Sequence, residues 1–183
     1  MISSPTFDRR HFLRVCLLTA TALVLPPSPE SLAALPGKRY IALSHTHTGE
    51  KLRLCYGLKD RYLPEALQSI NHFLRDHRTG EVKKIDPGLI DLLHAMARQL
   101  KSSEPFHIVS GYRSPATNAM LARRGKGVAK KSMHMLGRAV DIRLPGVGTA
   151  TLRRVAMNLG QGGVGYYPKS DFVHVDTGQV RHW

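Results

Sequence analysis

The ten residues Ser132-Met-His-Met-Leu-Gly-Arg-Ala-Val-Asp141 constrain this chain more than any other stretch. They set a histidine, a turn-permitting glycine and an aspartate at the mouth of a strand. From Arg138 to Leu144 small or apolar residues alternate with polar ones, as they do in a strand with one buried face, and Phe172-Val-His-Val-Asp176 repeats the pattern. Two such strands side by side direct Asp141 and His174 into one cleft. Gly137 lets the chain turn tightly enough for His134 to swing back over the strand end. Two histidines and an aspartate match, in number and type, the protein ligands of a catalytic zinc that keeps a fourth position open for water. Taken singly, His134 is an ordinary loop histidine and His174 an ordinary core histidine. Composition and spacing alone make the three a possible metal site.

The pattern Ser-x-His-x-x-Gly-x-Ala-x-Asp, with Ser110-Gly-Tyr-Arg-Ser114 upstream and Val173-His-Val175 downstream, resembles the zinc D,D-peptidases. This is the family of D-alanyl-D-alanine carboxypeptidases, whose fold is shared with the hedgehog signalling domain. Within it the chain is most similar to the murein endopeptidase K type, over about Arg39 to Trp183. The resemblance implies a single α+β domain with a small, mostly antiparallel sheet flanked by helices. It also implies one zinc ion on His134, Asp141 and His174, and Arg113 as the residue that holds the substrate or polarises its carbonyl. Relatives commonly carry the catalytic base three residues before the last histidine, where this chain has Asp171. An aspartate beside Ser170 is also favoured by turn hydrogen bonding alone. Phe172 stands where many relatives have a further histidine, which leaves any transition-state role of that histidine to Arg113 or His182. Asp176 is placed to orient His174 from outside the ligand set.

The activity so implied is hydrolysis of peptide cross-links in peptidoglycan. The alternatives are removal of terminal D-alanine, or a catalytically silent zinc- or wall-binding module. Gly163-Val-Gly-Tyr-Tyr-Pro168, His174-Val-Asp-Thr-Gly178 and Trp183 lie nearer the endopeptidase type, so peptidoglycan peptides are the expected partners.

A formal charge of +14 raises nucleic acid as another partner, since Lys and Arg neutralise phosphates. The basic residues are scattered, however, apart from Arg123-Arg124-Gly-Lys126 and Lys130-Lys131, and no nucleic-acid motif frames them. A basic surface suits an anionic cell wall equally well.

Residues 1–34 resemble an export signal of the twin-arginine type, the alternative being an uncleaved anchor helix. Asp8-Arg-Arg-His-Phe-Leu13 precedes an apolar run from Val15 to Leu25 that is short for a membrane span, and Ser31-Leu-Ala33 offers a cleavage site. The peptidase domain then occupies 35–183, acts in the periplasm and meets the membrane only through the signal segment. Discarding the segment removes Arg9, Arg10, Arg14, Asp8 and Glu30, so the remaining domain stays strongly basic.

The rest of the chain predicts a hairpin from Arg39–Ser44 to Lys51–Tyr56 and helices over Pro64–Arg75, Pro87–Lys101 (capped by Asp86), Pro115–Arg124 and Thr149–Leu159. A buried strand is expected at Phe106–Ser110 and a last hairpin at Gly162–Asp176. His45 and His47 are expected as exposed histidines flanking a turn. Met120 and Leu121 are expected on an inward helix face. The glycine- and lysine-containing loop 125–131 suits a positively charged lid or a plain solvated loop.

Overall fold

The computed structural model describes residues 37–125, 129 and 131–183. The expected export segment therefore lies outside the described residues, as does most of the 125–131 loop. Among the described residues no helix is long and apolar enough to cross a membrane.

The elements are β1 (Lys38–His45), β2 (Lys51–Leu58), β3 (Arg61–Tyr62), α1 (Pro64–Phe73), α2 (Pro87–Gln99), β4 (Phe106–Ser110), α3 (Pro115–Arg124), β5 (Ala139–Arg143), α4 (Thr149–Leu159), β6 (Gly163–Tyr167), β7 (Phe172–Asp176) and β8 (Arg181–His182). One eight-stranded sheet holds the order β3-β2-β1-β4-β5-β7-β6-β8. Its pairings are antiparallel except β1 with β4 and β6 with β8. The α+β expectation holds, and so does the mostly antiparallel sheet.

Period-two alternation decides what each central strand does. Val140 and Ile142 of β5, with Val173 and Val175 of β7, are completely buried in the apolar core, which they share with Leu89, Ile90, Leu93 and Met96 of α2. Burying each such side chain stabilises the fold by about 1.5–3 kcal/mol. The alternate residues, Asp141, His174 and Asp176, stand on the opposite face of the sheet. A one-residue slip would bury the carboxylates in the core, so the apolar pattern also sets the register of the polar residues.

Helix α2 starts where expected, with Pro87 in its first turn and Asp86 accepting a hydrogen bond from Gly88 N at 2.9 Å. Helix α3 departs from expectation. Its buried residues are Thr117 and Asn118, while Met120 and Leu121 are half-buried. The inner face meets a polar segment, in which the carboxylate of Asp76 accepts from Ser114 N at 2.8 Å, so small polar side chains fit there.

His45 is a second correction, because it is buried. Ile41, Leu43 and His45 share one side of β1 by parity, so the ring follows the core residues inward. Its Nδ1 accepts from the amides of His47 and Thr48 at 3.2 and 3.3 Å, and Nε2 therefore carries the hydrogen. The ring lies edge-on to His77 at 5.4 Å, and His77 stacks on exposed His47 at 4.4 Å.

Burial holds both His45 and His77 below the ordinary histidine pKa, His77 at about 4. For His45 protonation also means giving up two amide donors. The unfolded chain takes up these protons near pH 6.5 and the folded chain does not, so stability is complete above that pH and declines as pH falls toward 4. The expected outcome is a fall in Tm between pH 7 and 4.5 that is shallower in His77→Gln than in wild type. Parallel curves from thermal unfolding at each pH would contradict it.

Candidate metal centre

The loop that carries His134 is a single 3-10 turn, Met133–Leu136, between two local devices. Ser132 Oγ accepts from His134 N at 3.3 Å, and Gly137 ends the turn at φ 66°, in the left-handed region. A Cβ at Gly137 would lie 2.4 Å from the carbonyl oxygen of Lys84, so close approach as well as turn geometry demands glycine. Asp86 N donates to Gly137 O at 2.9 Å, which ties the turn to the start of α2.

Asp141 and His174 reach the same place through strand pairing, as direct cross-strand partners of β5 and β7. The three side chains converge. His134 Nε2 lies 3.2 Å from Asp141 Oδ1 and 3.1 Å from His174 Nδ1, and His174 Nδ1 lies 2.9 Å from Asp141 Oδ1. Among the described residues they are the one group of three or more acidic, His or Cys side chains arranged to hold a metal ion, and all three are buried.

The outer hydrogen bonds set the chemistry of the centre. His134 Nδ1 donates to Gly111 O at 2.7 Å, and His174 Nε2 donates to Asp176 Oδ2 at 3.0 Å. Each neutral ring thus spends its hydrogen outward and turns a lone pair inward, toward the other ring and a carboxylate oxygen. Three mutually repelling acceptors about 3 Å apart suit a small divalent cation, since ligands of tetrahedral zinc at about 2.0 Å stand roughly 3.3 Å from one another. The donor set fits zinc.

Electrostatics agree with this arrangement. Burial alone would raise the pKa of Asp141, but the neighbouring histidines and the Arg113 guanidinium outweigh it and hold the carboxyl far below its usual range. Burial keeps His134 neutral by lowering its pKa. For His174 burial acts in the same direction, yet Asp141 and Asp176 prevail and its pKa is raised. The surroundings of His174 favour positive charge.

Arg113 stands beside the cluster. Its Nη2 donates to Asp141 Oδ2 and its Nε to Ser110 Oγ at 2.8 Å. The guanidinium lines an open cleft of about 500 Å³ together with His134, Asp141, His174 and several aromatic side chains. The backbone that presents Arg113 is anchored by a buried acid. Asp76 takes bonds from Ser114 N and Arg78 N, and Tyr112 N donates to Leu74 O at 2.8 Å. Burial alone would raise the pKa of Asp76, but the Thr117 hydroxyl and the amides of Ser114 and Arg78 hold it at about 2.

Asp176 sits where the sequence expected it, behind His174, and it accepts further bonds from the amides of Gly163 and Gly178 and from Arg181. Asp171 is not brought to the cluster. It is exposed, in a left-handed conformation that ends the short turn Pro168–Ser170, with its carboxylate 3.6 Å from Arg143 Nε. His182 is exposed and lies on the opposite side of β8 from Arg181 and Trp183.

Sequence reasoning missed the contribution of Arg181 and Trp183. The signal available was a pair of period-two patterns, Gly163-Val-Gly165 and Arg181-His-Trp183, on strands that turn out to be neighbours.

Asp76→Asn replaces one acceptor oxygen with a donor among backbone amides. It is expected to cost about 1–3 kcal/mol of stability, measured as a lowered midpoint in chemical denaturation. An unchanged midpoint would contradict the anchoring role.

A family model described as peptidoglycan L,D-endopeptidase MepK matches residues 33–183. The peptidoglycan L,D-endopeptidase MepK of Escherichia coli strain K12 is 40% identical over 176 residues, which covers 96% of this chain and 97% of that protein. The probable peptidoglycan L,D-endopeptidase MepK of Haemophilus influenzae is 36% identical over 178 residues, covering 96% and 95%. The crystal structure of Serratia marcescens L-Ala D-Glu endopeptidase ChiX aligns with 52% of this chain and 68% of that one, at 21% identity and a TM-score of 0.36, a likeness too slight to bear on the fold.

Proposed function

The chain belongs to the peptidoglycan L,D-endopeptidase MepK family of peptidases, and from that premise we propose that it is an exported zinc metallopeptidase that cuts peptide cross-links in peptidoglycan. The observation that carries this reading is the convergence of three inward lone pairs, on His134, His174 and Asp141, beside Arg113 in an open cleft. The relatives are named for action on an L,D bond, so the scissile bond proposed here joins an L- to a D-configured residue. The same naming favours the endopeptidase over the D-alanyl-D-alanine carboxypeptidase alternative. Placement of Arg113 in the cleft favours an enzyme over a silent binding module.

Zinc held by His134, Asp141 and His174 would polarise the scissile carbonyl and lower the pKa of a water to near neutrality. Arg113 has Nε on Ser110 and Nη2 on Asp141, which leaves Nη1 without a partner among the described residues. That nitrogen is the donor available to a carbonyl oxygen as negative charge develops on it. His174 is kept in one tautomer by Asp176, and His134 by Gly111 O, so neither ring has to reorient for catalysis.

Asp171 is assigned the proton transfers, from water to the leaving amine. It stands at the rim, next to cleft-lining Phe172, and its exposed contact with Arg143 is of a kind worth only about 0–1 kcal/mol. Swinging toward the cleft costs little on that scale. Asp171→Asn should retain stoichiometric zinc and lower kcat by about 100-fold or more, whereas a rate near wild type would assign the base elsewhere.

Residues 1–34 are assigned to export by the twin-arginine route, which places the 35–183 domain in the periplasm. Replacing Arg9 and Arg10 together by Lys should leave an uncleaved precursor inside the cell. Normal processing of the double variant, seen by fractionation, would indicate another route.

The activity itself is tested with purified cross-linked muropeptide dimers. Conversion of dimers to monomers, stopped by a chelator and restored by zinc, is the expected result. Release of free D-alanine while dimers persist would establish the carboxypeptidase instead. His134→Ala and His174→Ala should each lose zinc as well as turnover, and full zinc retention in both would refute the ligand assignment.

A further inference from the structure

Strand β8 contributes a wall to the cleft by an unusual route. It pairs with β6, yet its side chains act on β7, two strands away. The strand between carries glycine at the two positions of that face, 163 and 165, that lie between β8 and β7. A Cβ at Gly163 would stand 2.5 Å from Arg181 Nη1, and a Cβ at Gly165 would stand 2.8 Å from the indole of Trp183. Both glycines have ordinary negative φ, so the space they leave, rather than backbone freedom, is their contribution.

Through the first gap Arg181 reaches Asp176, with Nη2 to Oδ2 at 2.7 Å. Across the second gap the indole of Trp183 lies 5.4 Å from the ring of His174, the cross-strand partner of Gly165. The indole is pinned there. Its Nε1 donates to Tyr167 Oη at 2.9 Å, Tyr167 stacks on Phe172 at 4.6 Å, and the Arg181 guanidinium sits 5.1 Å from the indole. Even so, Trp183 remains 48% exposed, with its free surface lining the cleft. A large aromatic ring fixed by its neighbours and open on one side provides apolar contact area at little entropic cost.

The charge of the same cleft narrows the ligand. Of its three lining cations, Arg113 is paired with Asp141 and Arg181 with Asp176, which leaves Lys131 as the cation without a carboxylate partner among the described residues. We propose that the Trp183 indole is a specificity platform for the peptide residue that flanks the scissile bond. The residue it accepts has an aliphatic stem ending in a free carboxylate. The stem lies on the indole, and Lys131 takes the carboxylate. Proximity to His174 selects a peptide residue rather than a sugar, because a group 5 Å from a metal-ligating ring can meet only what adjoins the bond being cut. This assignment rests on the endopeptidase reading above.

Trp183 is the single tryptophan of the chain, so its emission reports on the platform independently of turnover. The probe is a purified peptidoglycan tetrapeptide, compared with the same peptide carrying amidated side-chain carboxyls, on zinc-loaded full-length protein. The free acid should shift or quench the emission saturably, and the amide should need about ten-fold more peptide for the same change. With cross-linked dimers as substrate, Trp183→Leu should raise KM by about ten-fold and leave zinc content and kcat within about three-fold. Gly165→Ala, which displaces the indole without removing it, should raise KM in the same direction and alter the emission of the free protein. Should Trp183→Leu fail to fold, Trp183→Phe and Gly165→Ala decide the matter. Saturable cleavage with unchanged emission, or an unchanged KM in these variants, would overturn the platform. A saturable emission change with no cleavage of any wall material would instead uphold the platform and overturn the endopeptidase reading.

Discussion

Three unprotonated acceptors facing one another inside a protein are unfavourable unless positive charge joins them, and the rest of this site follows from that constraint. Asp141 and His174 are fixed by the β5–β7 register, and His134 is brought to them by a glycine-terminated turn. Their mutual distances of 2.9–3.2 Å are near those of ligands around a single small cation. The core supplies the rigidity, because the residues that alternate with Asp141 and His174 are fully buried apolar side chains.

Each element of the centre is held by a group outside it. Gly111 O and Asp176 set the two imidazole tautomers, and Asp176 is itself held by two amides and Arg181. Arg113 is positioned by Ser110 and by a loop anchored on buried Asp76. Buried carboxylates recur in this role because they accept several hydrogen bonds at once and stay charged while doing so, as the lowered pKa values of Asp76 and Asp176 reflect. The energetic expense of burying them is repaid only while every bond is made, so each is a point at which a single substitution propagates to the cleft.

How much of this was legible in the sequence depends on range. His134, Gly137 and Asp141 stand within eight residues, and strand alternation carries the argument to His174, so local pattern made the three a possible metal site and the family resemblance made them a ligand set. His45 was misjudged because its neighbours His47, Thr48 and Gly49 signal a turn, whereas strand parity with Ile41 and Leu43 governs its side chain. Asp171 stands at the spacing that the resemblance implies for a base, but its left-handed conformation and contact with Arg143 depend on tertiary placement. The glycine gaps at 163 and 165 become meaningful only once β8 is known to lie parallel to β6. No local propensity encodes that pairing.

The central claim is that His134, Asp141 and His174 form a preorganised site for one zinc ion. X-ray absorption at the zinc edge of the protein, purified with its metal and assayed for stoichiometry, tests it most directly. The account predicts one zinc per chain, with a shell of nitrogen and oxygen atoms at about 2.0–2.1 Å that includes two imidazoles and no sulfur. Substoichiometric zinc after reconstitution, or a shell containing sulfur or lacking imidazole, would contradict it.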